Sequence, residues 1–403
     1  MNIWIINQYV RLPEQGGGTR HFQLSRELIK QGHDVTLIAS PISYLTGQPE
    51  PGVAPGIRQK DGVRLVWLES PSYQGNSIAR VWNMLIFSVK VRLGRYRSRL
   101  PKPDVIVGSS PHLLAAFAAE RLAKAETIPF VMEVRDLWPQ TLIDVGGISP
   151  SHPIVILFRW LERRCYRSAT KIVALLPAAW RYIEKHGAAS GAVCWIPNGV
   201  DLGDFRVKPA PLRSGQFIVT YAGTHGLANA LDSVLDAAAL LNNEGLGDRV
   251  RFRLIGEGAE KARLMSRVRY EELRMVEFLD PVPKLEIASV LAQSDAFIAV
   301  IKDSPLYQWG ISLNKLFDYL AMARPVIFSG DVPDNPVLAS GGGIVVPAED
   351  PQAIAGAVKE LLAMKPEERV AMGRAGLTFI QQHHSISLLA AKLEKVLMDA
   401  IHQ

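Results

Sequence analysis

The sequence predicts an α/β protein of two doubly wound domains, and three observations carry that prediction. Short apolar, β-branched runs alternate with segments of helical period along the whole chain, the pattern of parallel strands joined by helical crossovers. The strand series breaks once, at a Pro- and Gly-containing stretch from Asp204 to Gln216, and then resumes. At 403 residues the chain also exceeds the size at which one hydrophobic core stops growing, and 48% hydrophobic content suffices for two.

In chain order, Ile3 to Val10, Asp34 to Ser40, Val63 to Glu69, Asp104 to Ser109, Phe130 to Arg135, Lys171 to Leu176 and Val193 to Pro197 read as the strands of a first sheet. Thr19 reads as the N-cap of a helix carrying Phe22, Leu24, Leu28 and Ile29 that closes at Gly32. A second series follows: Phe217 to Ala222, Val250 to Ile255, Val276 to Leu279, Ala296 to Ile301, Pro325 to Phe328 and Gly343 to Val346. The last segment, Ser385 to His402, has Ile386, Leu389, Leu393, Val396 and Leu397 at helical spacing, with no strand after it. The expected domains are 1–205 and 206–384, with a closing helix over 385–403.

Composition narrows the function classes. Cys165 and Cys194 are too few for a disulfide framework and have no zinc-like spacing, which fits a reducing compartment. The start runs straight into a strand pattern, without the basic region of a secretory signal. No uninterrupted apolar run reaches the roughly 18 residues a spanning helix needs, so a soluble or peripheral protein is expected. The formal charge is +6 and the pI about 9.2, with no recognised nucleic-acid module to use it. Between Asn76 and Lys102 stand Arg80, Lys90, Arg92, Arg95, Arg97, Arg99 and Lys102 and no acidic residue. This basic amphipathic stretch, with Trp82 and Phe87 expected on its other side, suits an anionic leaflet; a solvated helix face is the alternative.

Chemistry concentrates where strands end and helices begin. Gly16-Gly17-Gly18-Thr19 follows the first strand, and bare amides at a helix start seat a phosphate or developing negative charge. The second domain opens likewise, with Gly223-Thr224-His225-Gly226 after its first strand and Gly256-Glu257-Gly258 after its next, Lys261 close behind; ligands of such sheets bind outside the carboxyl ends of the strands. The spacing of the first run is neither a dinucleotide fingerprint nor a P-loop. A helix beginning near Ser312 or Leu313 would present its free amides and Lys315 to a diphosphate. Asp318, about one turn further on, would accept from two ribose hydroxyls. His112 starts a helix after the fourth strand, where it either caps that helix or faces a cleft. No Asp-x-Asp pair for a divalent ion stands at a strand end.

Taken together, Ser312-Leu313-Asn314-Lys315-Leu316-Phe317-Asp318-Tyr319-Leu320-Ala321 followed by Pro325-Val326-Ile327, Val134-Arg135-Asp136-Leu137-Trp138-Pro139, Ile196-Pro197-Asn198-Gly199-Val200-Asp201 and the Gly223 turn resemble the retaining GT-B glycosyltransferases of family 4, and within them the WbuB-like O-antigen and polysaccharide transferases. The likeness covers nearly the whole chain. It implies two Rossmann-like domains facing across a cleft that holds the active site, with the C-terminal helix returning to the first domain. It implies transfer with retention and without a metal, by front-side attack, from a UDP-sugar to a polyprenyl-diphosphate-linked or saccharide acceptor. An N-acetyl amino sugar such as N-acetyl-L-fucosamine is the implied cargo, and the inner face of the bacterial cytoplasmic membrane the implied place.

Three departures stand out. Gly310 occupies the position of the family's sugar-contacting glutamate. Arg135-Asp136 replaces the usual His-Asp, and arginine cannot act as a general base; Arg135 is then expected to meet acceptor phosphate or developing charge, and Asp136 to orient the acceptor hydroxyl. The diphosphate-holding Arg and Lys near the first turn of the second domain are missing from Thr224 to Ala230, leaving Lys315, then Lys302, as substitutes. The expected catalytic groups are thus Arg135, Asp136 and Lys315. The expected donor groups are Gly17, Gly18, Gly223, Thr224, His225, Gly256, Glu257, Ser312, Leu313, Asn314, Lys315 and Asp318, while His112, Arg80, Arg92, Arg95 and Arg97 serve acceptor or membrane. A sugar-nucleotide 2-epimerase of the same fold and a non-catalytic two-lobed sugar-binding protein are the competing readings.

Overall fold

In the computed structural model, which describes residues 1–15, 18–44, 46–75, 78–205 and 215–403, the chain forms two compact units. Unit one comprises Met1–Leu12, Thr19–Pro197 and Ile386–Gln403; unit two comprises Pro13–Gly18 and Asn198–Ser385. Gly16, Gly17 and residues 206–214 of the expected linker lie outside the described residues.

Unit one holds eight strands, β1 (Asn2–Ile6), β2 (Asp34–Ala39), β3 (Gly56–Lys60), β4 (Val63–Trp67), β5 (Val105–Ser109), β6 (Phe130–Val134), β7 (Lys171–Ala174) and β8 (Val193–Trp195), in the order β3-β4-β2-β1-β5-β6-β7-β8. All neighbours pair in parallel except β3 with β4. The connecting helices are α1 (Arg20–Lys30), α2 (Ile78–Leu93), α3 (Leu113–Glu126), α4 (Gln140–Asp144), α5 (Pro153–Ser168) and α6 (Ala179–Lys185). Strands β5 and β6 are buried along their whole length, as expected where helices cover both faces of a parallel sheet. Ile3, Ile5, Leu37, Val107 and Val131 pack there with Phe22, Leu24 and Leu28 of α1.

Strand β3 is absent from the sequence reading. Its residues are exposed or half-buried, so no alternation of polar and apolar side chains marks it, and backbone pairing to β4 places it. Asp61 and Gly62 turn the chain with φ of +49° and +81°, joining Lys60 to its partner Val63. An Asp-Gly pair with both φ positive is the two-residue hairpin turn whose twist matches its strands.

Unit two holds β9 (Phe217–Ala222), β10 (Val250–Ile255), β11 (Val276–Leu279), β12 (Ala296–Val300), β13 (Val326–Ser329) and β14 (Gly343–Val346), all parallel, in the order β11-β10-β9-β12-β13-β14. Its helices are α7 (Leu231–Asn243), α8 (Lys261–Tyr270), α9 (Ile287–Leu291), α10 (Asn314–Ala321), α11 (Pro336–Ser340), α12 (Pro351–Ala363) and α13 (Pro366–His383). The chain runs outward from β9 to β10 and β11, then returns to lay β12 on the other flank of β9. That reversal makes a topological switch point between β9 and β12, where ligands of such sheets collect.

The division falls between Pro197 and Asn198 rather than near 205. The Asn198 amide donates to Ser312 Oγ at 2.8 Å, and its side-chain Nδ2 donates to the Ser312 carbonyl at 2.6 Å. Val200 bridges to Ser385 and Phe205 is buried in one cluster with Leu316 and Phe317. These contacts commit 198–205 to unit two. The last helix, α14 (Ile386–Ile401), belongs to unit one, where Ile386, Leu389, Leu393, Val396 and Leu397 join the core beside α1, and His33 Nε2 lies 2.8 Å from Glu394 Oε1.

Candidate functional site

In unit two, polar groups converge on the carboxyl ends of β9 and β12. Helix α10 begins just after Leu313, and the first amides of any helix lack intrahelical acceptors. From its first turn Lys315 reaches across the switch point: its Nζ donates to Tyr221 Oη at 2.8 Å and to Asn229 Oδ1 at 2.7 Å, and sits 4.3 Å from the Tyr221 ring centroid. Both partners are neutral, and among the described residues no carboxylate pairs with this ammonium. Burial pushes it down to about 7. A half-buried cation beside a helix start makes this end of the sheet favourable to negative charge.

Gly223 makes room for that lysine. A Cβ there would stand 3.1 Å from Lys315 Cε and Nζ and 3.1 Å from Tyr221 Oη. Gly256, at φ +144°, lies on the Gly223 backbone so closely that a Cβ would come within 1.9 Å of the Gly223 carbonyl oxygen. The amide of Gly223 donates to Ile255 and that of His225 to Glu257, both at 2.9 Å, so the glycine turns after β9 and β10 form one backbone platform. Gly18 also belongs to this unit, with a hypothetical Cβ 2.7 Å from Asn314 Nδ2.

The remaining donor candidates are placed less simply. His225 is fully buried between Tyr221 and Phe278, and burial with Lys261 nearby pushes its imidazole down to about 4; it is neutral at physiological pH. Glu257 pairs with Lys261 at 3.2 Å, and Thr224 offers its carbonyl to Tyr221 and Asn229. The Ser312 hydroxyl is engaged by the Asn198 amide. Lys302 is exposed. Asp318 is 8% exposed and bonded to Lys284, Nζ to Oδ2 2.5 Å. Gly310 has φ +88°, a conformation a glutamate would adopt only under strain, so the backbone of this loop is built for the residue it has.

Unit one carries a second polar cluster at the end of β6. Glu133 accepts from Arg20 Nε at 2.9 Å and Ser109 Oγ at 2.5 Å, with His21 Nε2 at 2.6 Å. Arg20 also donates to the carbonyls of Ile196 and Pro197. Burial pushes the Glu133 carboxyl up, but His21, Arg20 and Arg135 together hold it well below its ordinary range. Burial lowers the His21 imidazole, and Glu133 opposes that push. This network fastens the first turn of α1 to β6; no motif signalled it, because its members come from four separate segments.

Beside it, the Arg135 amide donates to Ser110 Oγ at 2.9 Å, its Nε is buried without a hydrogen-bond partner among the described residues, and Asp136 is exposed. His112 caps α3, its Nδ1 accepting from the Ala115 amide at 3.2 Å, and burial pushes it down to about 3. The arginines ascribed to acceptor or membrane divide. Arg80 lies 5.8 Å from the Tyr73 ring centroid, Arg97 is paired with Glu126 at 2.8 Å, Arg92 is half-buried and Arg95 exposed. Trp82 and Phe87 do not share a face: Trp82 is 57% exposed and Phe87 fully buried. Five residues turn a helix by about 140°, so the buried stripe is Asn83, Phe87 and Val91 and the outward one is Ile78, Val81, Trp82, Leu85, Val89 and Leu93. Helix α3 packs against both α2 and α5, and α5 likewise exposes Ile156, Leu157 and Trp160. Among the described residues no three His, Cys, Asp or Glu side chains are placed to hold a metal, and no helix is long and apolar enough to cross a membrane.

Two doubly wound α/β units built on largely parallel sheets are the architecture of the GT-B class of glycosyltransferase folds, and solved structures agree. Sucrose-phosphate synthase from Thermosynechococcus elongatus superposes with a TM-score of 0.78 at 17% identity over 98% of this chain and 97% of that one. HepE of Anabaena, in complex with UDP and glucose, gives 0.69 at 12% identity over 98% and 99%. The description Glycosyl transferase 4-like domain matches residues 15–199, and Glycosyl transferases group 1 matches residues 216–364. The chain belongs to the glycosyltransferases built from these two domains. Among its relatives are WcaI of Escherichia coli, named as a colanic acid biosynthesis glycosyl transferase, 25% identical over 68% of this chain and 70% of that one, and the glycosyltransferase WbjE of Pseudomonas aeruginosa, 20% identical over 95% and 94%.

Proposed function

We propose that this chain is a retaining, metal-independent glycosyltransferase that moves a sugar from a UDP-sugar to a lipid-linked or saccharide acceptor in the assembly of a bacterial surface polysaccharide. The observation that carries the reading is Lys315, an unneutralised ammonium at the β9/β12 switch point beside the start of α10, with the buried Asp318 carboxylate one turn beyond. Lys315 and the amides of Ser312 to Lys315 hold the diphosphate and Asp318 accepts from the ribose hydroxyls. Gly223, Thr224, His225, Gly256 and Glu257 line the same edge. The ligands of structural neighbours, UDP with glucose in HepE and UDP-2-fluoro glucose in a trehalose-6-phosphate enzyme of Escherichia coli, support a uridine nucleotide.

In the transfer, the acceptor hydroxyl oxygen bonds to the anomeric carbon on the face the diphosphate leaves. The carbon–oxygen bond to the diphosphate breaks, and a diphosphate oxygen takes the hydroxyl proton. The charge that develops is on the leaving group, where Lys315 and the helix amides act in a water-poor setting. Arg135 and Asp136 serve the acceptor. The family resemblance points to an N-acetyl amino sugar as cargo, and the colanic acid relative supports polysaccharide assembly. The exposed apolar stripes of α2 and α5, with Arg92 and Arg95 beside them, support attachment to an anionic membrane surface on the cytoplasmic side, where sugar nucleotides are made.

A thermal-shift panel of UDP, GDP, ADP, dTDP and NAD tests the donor, since a ligand at 100 times its Kd adds about 2.7 kcal/mol to the native state. Stabilisation by UDP alone, followed by transfer from UDP-sugars with the anomeric configuration kept, is expected. Stabilisation by NAD alone, or a product that is an epimerised sugar nucleotide, would sink the reading.

A further inference from the structure

Lys284 lies in the loop between β11 and α9, remote in sequence from α10. Yet its Nζ is 2.5 Å from Asp318 Oδ2, both side chains are largely buried at 13% and 11% exposure, and the same ammonium stands 5.2 Å from the Phe205 ring centroid. Three separate segments of unit two therefore meet at the Lys284 ammonium: 198–205, the loop after β11, and α10. Asp318 Oδ1 has no hydrogen-bond partner among the described residues, so one oxygen is engaged by Lys284 and the other is open.

We propose that Lys284 is a positioning residue for nucleoside recognition, holding the Asp318 carboxylate in its ionised, acceptor form so that the ribose diol of the donor can donate to it. The proposal rests on the assignment of Asp318 to the donor ribose. The chemistry is that of the carboxyl group: ionised, both oxygens accept; protonated, one becomes a donor and meets a hydroxyl less well. A carboxylate this deeply buried is pushed toward the protonated form, and a nearby cation opposes the push. Burial raises Asp318 and Lys284 is the group that counters it. Lys284 also links the loop that leads out of β11 to the helix that holds the ribose, so the pair fixes the carboxylate's direction as well as its charge.

The discriminating experiment measures Kd for UDP and for a UDP analogue lacking both ribose hydroxyls, at about pH 6 and about pH 8, on the full chain. In wild type the analogue should bind about tenfold or more weakly than UDP at both pH values, since a lost hydrogen bond to a charged group is worth that much. In Lys284→Met the preference for UDP should shrink, and shrink more at the lower pH than at the higher one, because a buried carboxyl without its cation is pushed toward the protonated form. Lys284→Arg, which keeps the charge, should behave as wild type. Asp318→Asn should show neither preference nor pH dependence, and adding Lys284→Met to it should change nothing further. Wild-type preference in Lys284→Met at both pH values overturns the role of Lys284 while leaving the donor assignment standing. Failure of wild type to bind UDP overturns the donor assignment itself, and this role with it.

Discussion

Replacing Lys315 by Met should move two observables in opposite directions. The Lys315 ammonium has a phenol oxygen, an amide oxygen and a ring face for company, and burial lowers it to about 7. Against an ordinary lysine near 10.4, that depression corresponds to an upper bound of about 4 to 5 kcal/mol. Solvent screening at a half-buried site leaves about 1 to 3 kcal/mol. The native state holds fewer protons than the unfolded chain between these two values. The cost is therefore fully present below about pH 7 and disappears as the pH rises toward 10.4. Lys315→Met should then raise the thermal midpoint of the empty protein at pH 6 to 7, by about 2 to 4 °C per kcal/mol gained for a unit of this size.

Nucleotide binding has the opposite sign. A bound diphosphate restores the lysine's affinity for its proton, so binding takes up a proton above about pH 7, and UDP affinity should fall about tenfold per pH unit from there to about pH 9. A phosphate's second ionisation lies near 6, so the nucleotide adds little to the slope in that range. Lys315→Met should weaken UDP by about 30- to 100-fold at pH 7, the loss of a charge-assisted contact, and abolish the slope. Titration calorimetry across pH, with scanning fluorimetry of the empty proteins, reads both effects. A wild-type UDP affinity that stays flat from pH 6.5 to 9, or a Lys315→Met protein that is less stable yet binds UDP normally, would refute the reasoning.

Other outcomes follow from the same geometry. Asp318→Ala should weaken UDP about tenfold or more, whereas Arg135→Ala should leave UDP affinity within about twofold and lower turnover instead; equal effects on affinity alone would contradict the split. Gly256→Ala would force a methyl to within 1.9 Å of the Gly223 carbonyl at φ +144°, and a thermal midpoint unchanged from wild type would show the platform is not rigid. Glu133→Gln leaves the buried Arg20 without its counter-ion and should cost about 3 to 5 kcal/mol in denaturant unfolding. Because the Glu133 carboxyl is held below its ordinary range, its stabilisation is present above the unfolded value and lost as pH falls through the lowered one, so the wild-type advantage should shrink in acid. Trp82→Ser with Trp160→Ser should reduce sedimentation with vesicles containing anionic lipid, and salt should weaken what remains; undiminished binding would exclude the α2 and α5 stripes.

How far the sequence reaches depends on whether a feature is local. The parallel strands of unit two announce themselves as isolated β-branched runs, and β9, β10, β11 and β14 span the residues those runs predict. Strand β3 does not, because an exposed edge strand carries no buried face to enforce alternation, although Asp61-Gly62 was the available clue. The error at Trp82 and Phe87 has a similar cause: composition marks a stretch as apolar and basic, but only the helical phase says which apolar side chains look outward.

The sequence by itself determined the α/β class, the break between two strand series, and the grouping of Ser312, Lys315 and Asp318, since these lie within seven residues of one another at the start of one helix. Only the tertiary structure decided what surrounds them. Tyr221 and Asn229 stand 94 and 86 residues from Lys315 and reach it because β12 returns to the flank of β9; Lys284 reaches Asp318 across 34 residues because the loop after β11 turns back toward α10. Helical spacing fixes neighbours along one element, while partners across a sheet are fixed by strand order, which no local pattern encodes. The division at Pro197 was settled in the same way, by hydrogen bonds from Asn198 to Ser312 that join residues 114 apart.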